Sequence, residues 1–135
     1  TGAIDVVRYT AVDDCGRVIN PLLATGQVHG GVAMGIGQAL LENALYDDDG
    51  QLLSGSLMDY AMPRAMHISD MDVSFHEVLD PNNDLGVKGI GEGGACAAPS
   101  AVVNAAIDAL APMGITALDM PMTPERLWRA IRAVS

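Results

Sequence analysis

The alternation of apolar and polar side chains changes period several times along this chain, and each change marks an element. Residues 4–12 are rich in β-branched and aromatic types, which predicts a strand. The run Asp13-Asp14-Cys15-Gly16-Arg17 breaks it, and Asn20-Pro21 is a turn or helix-entry signal. From residue 21 to about residue 46 the period becomes helical. Val28, Val32, Gly35, Ile36, Ala39, Leu40 and Asn43 fall largely on one face at three- and four-residue steps. Asp47-Asp48-Asp49-Gly50 is a turn between Leu45-Tyr46 and Gln51-Leu52-Leu53, in the manner of a hairpin. Residues 54–69 read as irregular, with Pro63 limiting any helix. Over residues 71–78, Met71, Val73 and Phe75 alternate with Asp72, Ser74 and His76, which predicts a second strand. Asp80-Pro81-Asn82-Asn83-Asp84 is a turn. Pro99 fits the first turn of a helix running to about residue 110, with Val102, Val103, Ala106, Ile107 and Leu110 inward. Residues 114–120 suggest a short strand. Thr123-Pro124-Glu125 opens a last helix, Thr123 as N-cap and Pro124 at the first position, with Leu127, Trp128 and Ile131 as its apolar stripe. The expected fold is α+β, a mixed sheet with helices packed on one side.

Composition bounds the rest. A chain of 135 residues, 50% of them hydrophobic, suits one domain with a real core. Aromatics are only 4%, so that core is built from Ala, Val, Leu, Ile and Met. A net charge of −10 argues against nucleic acid and against an anionic membrane surface as partners. No apolar run is expected to reach the roughly 18 residues of a membrane span. Cys15 and Cys96 form neither a disulfide framework nor a metal-ligand spacing, and both read as small buried side chains. A reducing cytoplasm is the default expectation. The chain starts at Thr1 and enters the run Ile4-Asp5-Val6-Val7 almost at once, so it reads as a piece of a longer polypeptide.

Glycine changes the picture. The first helix carries Gly26, Gly30, Gly31, Gly35 and Gly37, each costing up to about 1 kcal/mol against Ala in a helix interior. Either another helix packs tightly there or a bound group lies alongside. Residues 86–94 hold five glycines around Lys88 and Glu92. Such a loop can turn its N–H groups on an anion. It is not a Walker A sequence, because no Lys-Ser/Thr pair ends it. Glu92 is the unusual member. In a small dry pocket it would be a general base, its pKa raised by burial and lowered again by Lys88. On a flexible exposed loop it would be one half of a weak ion pair. The residues alone leave both open, as they do a non-catalytic cofactor-binding or assembly domain that holds an anion on the glycine loop, and an unrelated phosphate-binding α/β domain.

Two blocks resemble a known family. Asp13-Asp14-Cys15-Gly16-Arg17-Val18-Ile19-Asn20-Pro21 with Gly26-Gln27-Val28-His29-Gly30-Gly31 is similar to the stretch that enters the pterin-contacting helix of the molybdenum-binding large subunits of the xanthine dehydrogenase, aldehyde oxidase and aerobic carbon monoxide dehydrogenase family. Gly86-Val87-Lys88-Gly89-Ile90-Gly91-Glu92 resembles the loop carrying their active-site glutamate, and Pro124-Glu125-Arg126-Leu127-Trp128 matches the end. The resemblance covers essentially the whole chain, and implies a single domain (residues 1–135) that is the C-terminal part of the cofactor-binding region. It implies a hydroxylase that inserts a water-derived oxygen at a substrate carbon. Glu92 then stands as the base that takes a proton from a molybdenum-bound hydroxyl, with Lys88 orienting the site. Gln27, Gly30, Gly31, Lys88, Gly89 and Gly91 would lie against a molybdopterin or its cytosine dinucleotide form, with Ser100 at a helix start beside its phosphate. No metal-ligating residue is implied in this chain. Iron–sulfur clusters and FAD are expected on partner subunits or domains of an oligomeric complex, with a small-molecule substrate and the upstream part of the same subunit completing the site. His29 is open between function and packing. His67 and His76 read as surface or satisfied polar residues. Neither cysteine lies in anything resembling a copper-ligating loop. An isolated chain of this length is expected to be inactive.

Overall fold

The computed structural model describes residues 1–134. Two strands and three α-helices follow in the order β1 (Tyr9–Asp13), α1 (Pro21–Leu40), β2 (Met71–Phe75), α2 (Gly93–Leu110) and α3 (Pro124–Val134), with short 3-10 turns at Ala65–His67 and Ala111–Met113. α1 starts where the cap signal placed it. The Asn20 side chain accepts from the Leu23 N–H at 3.1 Å, and Pro21 fills the first position, where a missing donor costs nothing. α1 ends at Leu40, short of the expected residue 46. The N–H groups of Leu41 and Glu42 both turn back to the Gly37 carbonyl, at 2.9 and 2.8 Å. Pro63 and the Glu42 side chain then occupy the space that a Cβ on Gly37 would need.

α2 departs most from expectation. It begins at Gly93, and Pro99 lies inside it rather than in its first turn. The cause is the neighbouring helix. A Cβ on Gly31 would stand 2.7 Å from the Ala95 nitrogen and 2.9 Å from the Gly94 carbonyl carbon, and a Cβ on Gly94 would strike the Val28 carbonyl oxygen. The first turn of α2 is therefore pressed backbone to backbone on α1. Pro99 removes one intrahelical donor, and its ring sits over Gly35, where a Cβ would come within 2.9 Å of the proline Cδ. Tight packing thus explains Gly31, Gly35 and Gly94.

Val28, Val32, Ile36, Ala39 and Leu40 of α1 meet Ala98, Val102, Ala106 and Leu110 of α2, and Ile115, Met122 and Leu127 close the core. The Met122 N–H donates to the Ala39 carbonyl at 2.7 Å, tying the segment before α3 to α1. On α3, Leu127 is buried but Trp128 is half exposed, with the Arg132 guanidinium over its ring at 5.8 Å. Leu127 and Ile131 share the inward face, so the adjacent Trp128 turns outward. α2 with its following 3-10 turn (Gly93–Met113) has the length and, at a mean hydropathy of 1.3, the apolarity of a membrane span, which the sequence reading had not anticipated. Its Ala98, Val102, Ala106 and Leu110 are spent against α1, and Asn104 and Asp108 are exposed.

The α+β class holds. The sheet is two parallel strands in the register Tyr9↔Met71, Ala11↔Val73, Asp13↔Phe75. These paired residues are half buried toward the helices, and the intervening Thr10, Val12, Asp72 and Ser74 are exposed, so the helices pack on one side. Among the described residues, antiparallel pairing is confined to the isolated bridges Gly16↔Val87 and Tyr46↔Leu52, the latter closing the expected hairpin. Both strands are shorter than read. Residues before Tyr9 line, with Ala101, Ala105, Ala109, Leu127 and Ile131, a groove of about 680 Å³ instead of joining the sheet. Beyond Phe75 the chain bends to bring Val78 onto Asp14. Residues 114–120 form no strand. Gly114 caps the 3-10 turn in a left-handed conformation, and Ile115 and Leu118 anchor the segment on the core.

Candidate functional site

The two sequence blocks meet at the end of β1. The Lys88 N–H donates to the Cys15 carbonyl at 2.8 Å, and the Arg17 N–H to the Gly86 carbonyl at 2.9 Å. Gly16 and Gly86 both have positive φ, 63° and 66°, and a Cβ on Gly16 would strike the Gly86 carbonyl, so this crossing admits only glycine there. Asn83 closes the loop from behind, accepting from the Val87 N–H at 3.1 Å and donating to the Val87 carbonyl at 2.9 Å.

Lys88 pairs with Asp14, Nζ to Oδ2 at 2.5 Å. The other oxygen of Asp14 accepts from the Gly16 N–H at 2.9 Å and the Val78 N–H at 3.0 Å. The Lys88 hydrogen bond foremost, then those two N–H groups, hold the Asp14 carboxyl down at about 2. Sequence reasoning turned Lys88 toward Glu92 and missed Asp14. The local signal was the Asx-turn, an Asp followed two residues later by the glycine that it binds. Asp13 was missed as well. Its Oδ2 is buried with no hydrogen-bond partner, and its carboxyl carbon would lie 3.8 Å from a Cβ on Gly93, beside the positive end of α2.

Gln27 crosses from α1 to the loop, donating from Nε2 to the Gly91 carbonyl at 2.7 Å. The next residue, Glu92, is the N-cap of α2. Its carbonyl accepts from the Ala95 and Cys96 N–H groups at 2.9 and 3.0 Å, while its side chain makes no capping bond and is exposed. The dry pocket that the sequence suggested for Glu92 is not closed by these residues.

The remaining predicted residues divide. A Cβ on Gly26, Gly30, Gly89 or Gly91 would meet nothing within 4 Å. Gly26, Gln27 and Gly30 lie three and four positions apart on exposed α1 surface, and Gln27 reaches the loop that holds Gly89 and Gly91. The Gln27–Gly91 bond thus brings the exposed α1 surface of Gly26 and Gly30 beside the loop of Gly89 and Gly91, next to Glu92 and the α2 N-terminus. Gly31 instead faces Gly94 and Ala95. Ser100 is exposed and follows Pro99 well inside α2, so the helix start that would have set it beside a phosphate is at Gly93 instead. Cys15 is buried, which pushes its thiol pKa up, whereas Cys96 is exposed on the first turn of α2, contrary to expectation. His29 and His76 are exposed, and His67 Nδ1 accepts from the Arg64 N–H at 3.1 Å. Among the described residues no group of three or more His, Cys, Asp or Glu is arranged to hold a metal ion.

A family profile described as a molybdopterin cofactor-binding domain matches residues 1–69. The chain belongs to that family. The nicotine 6-hydroxylase large subunit of Paenarthrobacter nicotinovorans is 40% identical over 134 residues, 99% of this chain and 16% of that protein. The quinoline 2-oxidoreductase structure from Pseudomonas putida 86 superposes with a TM-score of 0.92 at 44% identity, covering 96% of this chain and 16% of its own. A Cu,Mo-CO dehydrogenase structure superposes with a TM-score of 0.94 at 32% identity, covering 99% of this chain and 17% of its own. The chain thus spans about a sixth of the length of these relatives. The molybdopterin family match also removes the alternative of an unrelated phosphate-binding domain.

Proposed function

We propose that this chain supplies the base-bearing wall of a molybdenum hydroxylase site, with Glu92 as general base. The observation that carries the reading is the Gln27–Gly91 hydrogen bond of 2.7 Å, which sets the α1 block beside Glu92. The open surface beside Gly26, Gly30, Gly89 and Gly91 would receive the pterin, Gln27 would border it, and the α2 N-terminus would face its anionic tail. Such a group supplies, when bound, the redox centre and Lewis acidity for inserting oxygen at a substrate carbon. Glu92 then accepts a proton on its carboxylate. It suits this role because its helix is capped through its backbone, which leaves the side chain without structural duty. Lys88 holds the loop rather than the proton, since its ammonium is engaged by Asp14.

Water is excluded, and Glu92 desolvated, by parts of a longer subunit. Substrate selection belongs there too: relatives named for nicotine, quinoline and carbon monoxide all share this segment. Iron–sulfur and flavin carriers on partner subunits or domains complete the electron path. The test is Glu92→Gln in the full-length large subunit of the assembled complex. Turnover is expected to fall at least about 10²-fold, the scale of a lost general base, with bound molybdenum unchanged by metal analysis. Unimpaired turnover refutes the assignment. The 135-residue chain alone, lacking the other walls, is expected to turn nothing over in the same assay.

A further inference from the structure

Asp14 handles no proton and touches no cofactor in the mechanism just given, yet the polar groups around the glycine loop converge on it. Oδ1 accepts from Gly16 at 2.9 Å and from Val78 at 3.0 Å, and Oδ2 takes the Lys88 ammonium at 2.5 Å. One carboxylate therefore joins the turn after β1, the segment leaving β2, and the loop that ends in Glu92. Beyond the contacts of Gly86 and Val87, the loop is held at Lys88 and at Gly91 before it reaches Glu92. Lys88 is held through its side chain by Asp14 and through its N–H by the Cys15 carbonyl, and Gly91 is held through its carbonyl by Gln27.

We infer that Asp14 is a positioning residue: by fixing Lys88 it sets where the loop delivers the Glu92 carboxylate. The pair is about one-third exposed, 33% and 34% for the two side chains, so it adds little to global stability. Its effect is geometric. An ammonium bound to a carboxylate that is itself fixed by two backbone N–H groups has little freedom, whereas releasing the Lys88 side chain leaves residue 88 held by its N–H alone and Gly89, with open space beside it, able to shift before Ile90 meets the core. The carboxyl stays ionised down to about pH 2, so the anchor is intact wherever the enzyme can be assayed.

The inference rests on Glu92 being the base, and the experiment separates the two. In the full-length subunit within its complex, Asp14→Asn, Lys88→Gln, their double variant and Glu92→Gln are compared for kcat, KM and hydrogen exchange of residues 86–92. Asn keeps an acceptor for Gly16 and Val78, so the turn is retained. Asp14→Asn is expected to lower kcat about 10- to 100-fold, the cost of misplacing a reacting group by about 1 Å, with KM unchanged and faster exchange in the loop. Lys88→Gln and the double variant are expected to match it, because both partners act as one unit. If Asp14→Asn fails to fold, Lys88→Gln carries the same comparison. Wild-type kcat and loop exchange in these variants beside an inactive Glu92→Gln would overturn the inference and leave the base standing. If Glu92→Gln stays active, the base assignment fails, and loop exchange alone decides: faster exchange supports Asp14 as the anchor, unchanged exchange overturns it.

Discussion

The same substitution at adjacent glycines of α1 should move stability in opposite directions. At Gly30 a Cβ meets nothing within 4 Å, so Gly30→Ala collects the helix-propensity gain of about 1 kcal/mol. At Gly31 the Cβ comes to 2.7 Å from the Ala95 nitrogen and 2.9 Å from both Gly94 Cα and its carbonyl carbon. All three are backbone atoms, so no side chain can swing aside, and α2 must move away from α1. Overpacking of this kind costs about 1–3 kcal/mol. The clash is with fixed backbone at the main helix crossing, so the upper end of that range, about 3 kcal/mol, applies, and after the same propensity gain Gly31→Ala is destabilised by about 2 kcal/mol. The two variants should then differ by about 3 kcal/mol, or roughly 2 M in urea midpoint at an m-value of about 1.5 kcal/mol per M. Equilibrium urea unfolding of the chain, followed by far-UV circular dichroism, reads this directly. If Gly31→Ala unfolds within about 0.3 M of Gly30→Ala, a shift of about 0.5 kcal/mol at that m-value, the backbone-to-backbone contact of α1 and α2 is not what requires glycine.

Two further outcomes follow from burial and charge. Leu127→Ala, at a site 3% exposed, should cost about 3 kcal/mol in thermal or urea unfolding, whereas Trp128→Ala, half exposed, should cost under about 1 kcal/mol; comparable losses of about 3 kcal/mol at both would place Trp128 in the buried stripe, where the sequence alone put it. The Asp14 carboxyl is held at about 2 against an ordinary 3.8, so its contribution to stability is complete above 3.8 and is lost as the pH falls through about 2. The stability difference between wild type and Asp14→Asn should therefore shrink across that window, and a difference that stays constant down to pH 2 would contradict the depressed carboxyl.

Legibility followed the range of the interaction. The start of α1 was readable because Asn20 and Pro21 act within one turn, and Thr123-Pro124 was readable for the same reason. The core-facing rows Val28-Val32-Ile36 and Val102-Ala106-Leu110 followed from period alone. Pro99 misled because the preference for the first turn is local, while the start of α2 is decided by contact with Val28 and Gly31 far away in sequence. Trp128 misled because a row at three- and four-residue steps leaves open which edge of the stripe reaches the core. In the site, the glycine loop and Glu92 were visible as a motif. Asp14 was not assigned, since its pairing with Lys88 spans 74 positions and depends on β1 and β2 lying side by side.

That division bears on how the glycines of α1 should be read. Tight packing and room for a bound group stood as rival explanations, and the structure gives each its own residues. Gly31 and Gly35 face α2, while Gly26 and Gly30 face open space. A helix that needed only a close neighbour would gain from alanine at positions 26 and 30, by about 1 kcal/mol each. Forgoing that gain on the surface that also carries Gln27 is a cost the fold does not impose. It becomes intelligible if the proposed cofactor lies flat there. The glycines that look wasteful in this chain therefore support that proposal better than those that the packing uses.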